Sequence, residues 1–199
     1  AIKYARVPVV TAPFNMARGG GCEYSLHADR INASAETYMG LVEVGVGLLP
    51  AGGGIKEMCI RAVDLADQYE TDVYPFILKY FKQIAKAQVS MGAAELFSMG
   101  YMGEGDFISM NLDRLIGDAK QQVLALAVNY RPPKKRINIA APGRDVAASI
   151  KTQLWNMKMG GHITEYEEEM GAVIAQVICG GDVNPGTMIS EDYLLELER

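Results

Sequence analysis

Residues 19–54 read GGGCEYSLHADRINASAETYMGLVEVGVGLLPAGGG, and this stretch decides the fold. It begins with Gly19-Gly20-Gly21 and ends with a second glycine-rich turn at Ala51–Gly54. Each turn follows an apolar segment and precedes a segment with helical spacing. The order of apolar segment, glycine-rich turn and helix predicts an α/β fold.

The segments before Pro50 favour strands. Val7–Phe14 is β-branched and apolar, which predicts a buried strand, and the alternation in Ile31–Met39 predicts a short strand. Cys22–Arg30 lies between them and can form a helix. Leu41–Leu49 is a further apolar run, interrupted by glycines and closed by Pro50.

The segments after Pro50 are mainly helical. Ile137–Ala140 is predicted to be a short extended stretch. Apolar spacing and capping residues predict helices at Ile55–Gln68, Asp72–Val89, Gly92–Met99, Gly143–Met159 and Glu165–Cys179. Two further helices are predicted to begin at the N-cap Asn111 and at Ser190. We therefore expect a single domain over residues 1–199. Its strand and turn core covers residues 1–54, and a helical remainder covers residues 55–199.

Composition excludes several classes of protein. The net charge of −5 argues against a nucleic-acid binder, because such proteins neutralise phosphates over a broad basic face. The basic cluster Lys134-Lys135-Arg136 reads as a solvated loop, with a phosphate or acidic partner as the alternative. No apolar run is long enough for a membrane helix. Three cysteines and no ordered signal peptide favour the cytoplasm.

The first glycine-rich turn can bind negative charge. At the start of a helix the N–H groups lack intrahelical partners, and the helix dipole adds a positive field. Such a turn can hold a phosphate or an oxyanion that develops during a reaction, and the sequence leaves both open. A dinucleotide fingerprint requires G-x-G-x-x-G, which Gly19–Tyr24 does not supply. We expect no nucleotide cofactor on this chain.

Two glutamates stand out near these turns. Glu23 directly follows the first turn, where an acid is also favoured simply by the helix dipole. Glu43 is the one charged residue in the apolar run 39–49, so it lies either at a strand end facing solvent or in a site. Two carboxylates in different environments are what acid–base addition of water requires.

The other reactive side chains carry weaker signals. His27 lies four residues after Glu23 on the same helix face, and packing or a polar contact is its expected role. His162 reads as a loop residue or the start of a helix. Cys22 has no ordered histidine partner, which favours packing over nucleophilic catalysis. No metal-ligand spacing is present, so we expect no metal.

The arrangement of GGGCE at residues 19–23, Glu43 twenty residues on, and Gly47, Pro50 and Gly53-Gly54 resembles the crotonase superfamily. Residues 38–54 are most similar to the hydratase half of large bacterial 3-hydroxyacyl-CoA dehydrogenases. The resemblance is strong over residues 7–60 and weaker over residues 90–130 and 160–199. It implies a crotonase-like α/β fold and hydration of trans-2-enoyl-CoA to 3-hydroxyacyl-CoA.

The resemblance also implies residue roles. In that family a backbone N–H of the GGG turn, here Gly20 with Gly21 beside it, binds the thioester oxygen. The first glutamate, here Glu23, activates water for attack at C3, and the second, here Glu43, exchanges the proton at C2. The acyl-CoA is then the substrate, and NAD would bind only to a separate domain of the parent enzyme.

Some features depart from the family. Leu41-Val42 replaces Gln-Pro before the second glutamate, and residues 67–90 look like an insertion relative to short members. The chain has no initiator Met and lacks the family's N-terminal region with its second oxyanion donor, so we expect an incomplete fold. We expect this piece alone to be nearly inactive and to self-associate. Enoyl-CoA isomerisation and a non-catalytic structural role are the alternatives.

Overall fold

The computed structural model describes residues 2–199, which pack as two compact units. The first unit contains residues 2–42 and Gln88–Lys135, and the second contains Glu43–Ala87 and Arg136–Arg199. The expectation of a single domain with an internal division at residue 54 stays a prediction.

The chain alternates short strands with helices, so the α/β class is confirmed. The regular elements are β1 (Val10–Thr11), β2 (Asn15–Arg18), α1 (Gly20–Leu26), β3 (Arg30–Ser34), β4 (Thr37–Gly40), α2 (Gly54–Gln68), α3 (Tyr74–Ala85), α4 (Glu95–Ser98), β5 (Phe107–Ser109), α5 (Leu115–Ala127), β6 (Ile139–Ala140), α6 (Arg144–Met159), α7 (Glu165–Ile178), β7 (Met188–Ile189) and α8 (Glu191–Leu197).

Parallel pairing organises the first unit. Strands β1, β3 and β5 form one sheet in that order, with Val10 opposite Arg30 and Asn32 opposite Phe107. Strands β2 and β4 form a second parallel pair with Arg18 opposite Gly40. Parallel neighbours cannot be joined by a tight hairpin, and α1 lies on the connections from β1 to β3 and from β2 to β4. This crossover places the start of α1 directly after β2.

The expected strand at Val7–Phe14 is wrong in extent. Only Val10–Thr11 pairs, and Val7 and Phe14 are 66% and 58% exposed. Pro8 and Pro13 explain the short strand, because proline has no N–H to donate to a ladder. The single strand expected at Ile31–Met39 is instead β3 and β4, separated by a turn at residues 35–36 and placed in different sheets.

Five helices, α2, α3, α6, α7 and α8, make up most of the second unit. The expected positions of α2, α6, α7 and α8 are confirmed to within one or two residues, whereas α3 is shorter than expected at both ends. The core consists of apolar side chains from the longer helices, each of which stabilises the fold by roughly 1.5–3 kcal/mol when fully buried. They include Ile55, Met58, Ile77, Ile84, Ile150 and Ile174.

Candidate active site

The first glycine-rich turn connects β2 to α1 through Gly19. Gly19 has a φ of 56°, a left-handed conformation that favours glycine. Its N–H donates to the carbonyl oxygen of Gly40 at 2.9 Å, and its own carbonyl accepts from the N–H of Glu23 at 3.0 Å. The turn is therefore tied to the end of β4. A strand, a glycine turn and a helix follow one another as expected, but the strand is Asn15–Arg18 rather than Val7–Phe14 and the helix is Gly20–Leu26 rather than Cys22–Arg30.

Gly20 differs from Gly19 in its backbone conformation. Its φ is not positive, and a Cβ built on it would meet no atom within 4 Å. Neither its backbone nor crowding by residues 2–199 requires glycine here. Gly20 and Gly21 open α1, and the first N–H groups of a helix have no intrahelical carbonyl to bind. The backbone of Gly20 thus faces open space beside N–H groups that favour negative charge.

Glu23 lies in the first turn of α1 and is largely buried, with 8% of its surface exposed. Burial makes it more than a surface acid placed for the helix dipole, because taking a carboxylate out of water is costly unless it is compensated. His27 donates from Nδ1 to the carbonyl oxygen of Glu23 at 2.6 Å. The polar contact expected of His27 is confirmed, and this contact is to the backbone.

A surface groove of 540 Å³ lies beside this turn in the first unit. Residues 11–17 line one side, and Gly21 and Ser25 of α1 line the other. Ser25 donates its hydroxyl to the carbonyl oxygen of Gly21 at 3.0 Å. Phe14 and Met16 are 58% and 65% exposed here. The groove offers apolar surface next to the glycine-rich turn.

Glu43 belongs to the second unit, where it begins a 3₁₀ helix at Glu43–Val46. Of the two placements that the sequence leaves open for Glu43, a strand end or a site, the strand end is therefore wrong. The N–H of Leu48 donates to the carbonyl oxygen of Glu43 at 3.0 Å. Glu43 is half-buried, and its Oε2 atom is shielded from solvent.

The turn after Glu43 is held by a residue that the sequence did not single out. Gly47 has a φ of 77°, and the hydroxyl of Tyr166 on α7 donates to its carbonyl oxygen at 2.8 Å. Tyr166 lies 119 positions away in sequence. No local pattern indicates a tyrosine that acts through tertiary contact, so only the fold reveals its role.

Glu23 belongs to the first unit and Glu43 to the second. Each is shielded from solvent, wholly or in part, beside a turn that requires glycine. Their convergence on one water molecule, together with the roles of Gly20 and Gly21, stays a prediction from the sequence.

The other candidate residues take structural roles. Cys22, Cys59 and Cys179 are buried, and none of the three forms a disulfide. Burial raises the pKa of the Cys179 thiol to about 12 and also raises the pKa of Cys59, so neither forms the reactive thiolate at neutral pH. His162 is exposed between helices, as expected. Among residues 2–199 no group of three acidic, histidine or cysteine side chains is placed to hold a metal ion.

Arg136 was expected to be part of a solvated basic loop, and this is wrong in part. Its guanidinium binds the carboxylate of Asp64 at 2.6 and 2.8 Å, and its backbone N–H donates to Glu191 at 2.9 Å. Arg136 therefore fastens the chain to α2 and α8. No helix among residues 2–199 is both long enough and apolar enough to cross a membrane.

Curated proteins are similar to this chain over its whole length. A protein of Bacillus subtilis named 3-hydroxyacyl-CoA dehydrogenase is 44% identical over 199 residues, covering 100% of this chain and 25% of that protein. A protein of Rickettsia felis named fatty acid oxidation complex trifunctional enzyme is 30% identical over 198 residues, covering 24% of its length. The chain thus spans about a quarter of these relatives. No family model matches it.

Solved structures with weaker sequence similarity were also found. An enoyl-CoA hydratase subunit from Geobacillus kaustophilus is 18% identical, with a TM-score of 0.47, covering 87% of this chain and 55% of that one. An enoyl-CoA hydratase/isomerase from Cupriavidus metallidurans is 18% identical, with a TM-score of 0.47, covering 88% of this chain and 53% of that one.

Proposed function

We propose that this chain, a member of the crotonase superfamily related to one quarter of large bacterial 3-hydroxyacyl-CoA dehydrogenases, carries the acid–base machinery of an enoyl-CoA hydratase. The substrate is a trans-2-enoyl-CoA and the product a 3-hydroxyacyl-CoA. The parent enzyme is also a 3-hydroxyacyl-CoA dehydrogenase that binds NAD on a separate domain. A further region of the same enzyme completes the site.

The open backbone of Gly20 is the observation that carries this proposal. When water adds to an enoyl thioester, electron density moves onto the thioester oxygen, which becomes enolate-like. The N–H of Gly20 donates to that oxygen, and the start of α1 adds a positive field. The oxygen can approach because no side chain occupies the space that a Cβ of residue 20 would enter.

The two carboxylates divide the proton transfers. Glu23 accepts a proton from water as the water oxygen bonds to C3, and Glu43 donates a proton to C2 as the enolate collapses. Glu43 begins this step protonated and Glu23 begins it ionised. The water's hydroxyl ends on C3, a proton ends on C2, and the proton held by Glu23 returns to Glu43 through solvent before the next turnover. The largely buried side chain of Glu23 and the shielded Oε2 of Glu43 support these roles, because exclusion of solvent strengthens electrostatic interactions with a developing charge.

The test measures hydration of crotonyl-CoA by Glu23→Gln and Glu43→Gln in the longest polypeptide that contains this sequence, and in the 199-residue chain itself. Glutamine keeps the size of the side chain and removes its proton transfer. We expect each variant of the long polypeptide to lose about 10²–10⁴-fold in kcat, the usual contribution of a general acid or base. The 199-residue chain should show little activity even without substitution.

Glu36→Gln and Glu169→Gln are matched controls, because both side chains are exposed, one in each unit. They should leave kcat unchanged. Parental activity in both Glu23→Gln and Glu43→Gln would refute the hydratase assignment. Isomerisation of a 3-enoyl-CoA that needs only one of the two glutamates would favour the isomerase instead. No activity in any form of the protein would favour a structural role.

A further inference from the structure

The second unit contains an apolar cavity of 200 Å³ enclosed by α3, α6 and α7. Its inner wall is formed by buried side chains of those helices, and Val44 of the 3₁₀ helix closes one side. A Cβ added to Gly171 would come within 2.8 Å of Leu154 Cδ1, so α6 and α7 are already in close contact at the wall. The wall includes Ile150, Leu154, Gly171 and Ile174.

Polar groups lie only at the mouth of this cavity. Lys82, Lys86, Gln153 and Glu167 line it and are exposed, whereas its buried lining residues are apolar. A water molecule needs two to four polar partners to be held in a cavity, and the inner part supplies none. The cavity is therefore suited to an aliphatic chain that enters from a polar surface.

We infer that this cavity receives the aliphatic tail of a medium-chain enoyl thioester, an inference that rests on the proposed function. Val44 follows Glu43 directly, and consecutive Cα atoms are only about 3.8 Å apart. If Glu43 protonates C2, the acyl carbons beyond C4 lie a few ångströms from Glu43. These carbons are apolar, so they are more stable when they are buried away from water. The apolar cavity that begins at the next residue is within reach of those carbons.

The size of the cavity sets the chain length. A cavity of about 150 Å³ lined by Leu, Ile and Phe is known to hold benzene, so 200 Å³ holds roughly six to eight carbon atoms. Added to the four carbons at the reacting end, this corresponds to acyl chains of ten to twelve carbons. Helix α3 forms one wall of the cavity and lies in the stretch that looks like an insertion relative to short members of the family. We therefore expect the preference for acyl chains of this length to be a property of this chain and not of those short members.

Chain length and cavity volume can be varied together. We measure kcat/KM with trans-2-enoyl-CoA substrates of four to sixteen carbons in the longest polypeptide that contains this sequence. Each methylene buried in the cavity should raise kcat/KM by about fourfold until the cavity is full. Ala85→Phe fills the cavity from α3 and should remove most of the advantage of the ten-carbon substrate while sparing crotonyl-CoA. Met157→Ala should extend the optimum to longer chains.

The matched control is Ala148→Phe, which adds the same side chain at an exposed position of α6 outside the cavity. It should leave the chain-length profile unchanged. Ala85→Phe with an unchanged profile would overturn the inference even if hydration is confirmed. If Ala85→Phe and Ala148→Phe change the dependence of kcat/KM on chain length equally, the inference is also overturned.

A binding measurement separates this inference from the proposed function. Trp155 is the one tryptophan of the chain and lies on α6, so its fluorescence can follow titration with saturated butyryl-CoA and decanoyl-CoA. Tighter binding of decanoyl-CoA that Ala85→Phe abolishes would support the cavity even if no hydration is detected. Equal binding of both thioesters, or a preference for decanoyl-CoA that Ala85→Phe retains, would overturn it.

Discussion

Adjacent glycines in this chain serve different physical purposes. Gly19 needs its left-handed backbone to end β2 and start α1, and any side chain there would be strained. Gly20 has an ordinary backbone and open space around it. Because Gly20 also opens α1, where N–H groups lack intrahelical partners, we expect a ligand to approach its backbone.

Gly20→Ala should separate folding from catalysis. Alanine is favoured over glycine in a helix by up to about 1 kcal/mol, so the free energy of unfolding measured by urea should not fall. Hydration of crotonyl-CoA should fall by about 10²-fold, the order of loss when reacting groups are displaced by about 1 Å.

Gly117→Ala provides the comparison, because its Cβ also meets no atom within 4 Å and it lies inside α5 of the same unit. That variant should retain full activity. If Gly20→Ala is as active as Gly117→Ala, the thioester does not approach residue 20.

At the scale of secondary-structure elements, the start of α7 positions the 3₁₀ helix that carries Glu43. A capping box fixes that start: the N–H of Glu167 donates to the Thr164 hydroxyl, and the N–H of Thr164 donates to the Glu167 carboxylate at 2.7 Å. The bonds from the backbone N–H and then the hydroxyl of Thr164 lower the pKa of Glu167 below 4.5. The ionised Glu167 carboxylate therefore stabilises the start of α7 above pH 4.5. This stabilisation is lost as the pH falls through the pKa that Glu167 has in the folded protein.

Tyr166→Phe should loosen the turn after Glu43 without unfolding the second unit. The variant loses the 2.8 Å hydrogen bond to Gly47, which contributes about 0.5–1.5 kcal/mol at most because Tyr166 is exposed. Since Tyr166 positions Glu43 rather than contacting substrate, we expect kcat to fall several-fold and KM to change little.

The pH profile of kcat for Tyr166→Phe is an additional readout, because a displaced Glu43 should titrate at a different pH while a purely structural change would not shift the profile. Tyr69→Phe removes an exposed hydroxyl elsewhere in the same unit and should behave as the parent. Identical kinetics and pH profiles for both variants would show that Tyr166 does not position the acid.

At the scale of the whole molecule, buried charges join distant parts of the chain within the second unit. The Lys56 ammonium on α2 lies 2.6 Å from the Glu57 carboxylate and 3.4 Å from Glu191 on α8. The N–H of Lys56 also donates to Glu198 at 2.5 Å. These contacts make the C-terminal helix part of the unit's interior. Self-association and a cytoplasmic location stay predictions at this scale.

Lys56→Met should destabilise the second unit by about 3–5 kcal/mol, because breaking a buried ion pair leaves carboxylates without their cation. Urea denaturation followed by Trp155 fluorescence measures the change. Lys151→Met, at an exposed position of α6, should cost less than about 1 kcal/mol. If both variants lose a similar free energy of unfolding, the buried ion pair of Lys56 contributes no more to stability than an exposed lysine does.

Elements with local signals could be predicted from the sequence, and elements that depend on partners could not. Asn111, Thr164 and Ser190 cap helices through side-chain oxygens, and all three N-termini follow from neighbouring residues. Strands β5 and β7 are only three and two residues long and form through pairing with β3 and β6, so no periodicity marks them.

The sequence by itself determined the α/β class, the strand–glycine–helix start of the site and the identity of the candidate acids, because turns and helix caps depend on residues close along the chain. Only the tertiary structure decided that Glu43 begins a 3₁₀ helix, that Tyr166 holds the following turn and that Lys56 is buried against Glu191. It also decided where the apolar cavity lies. These features depend on side chains that are far apart in sequence and meet only when the helices pack.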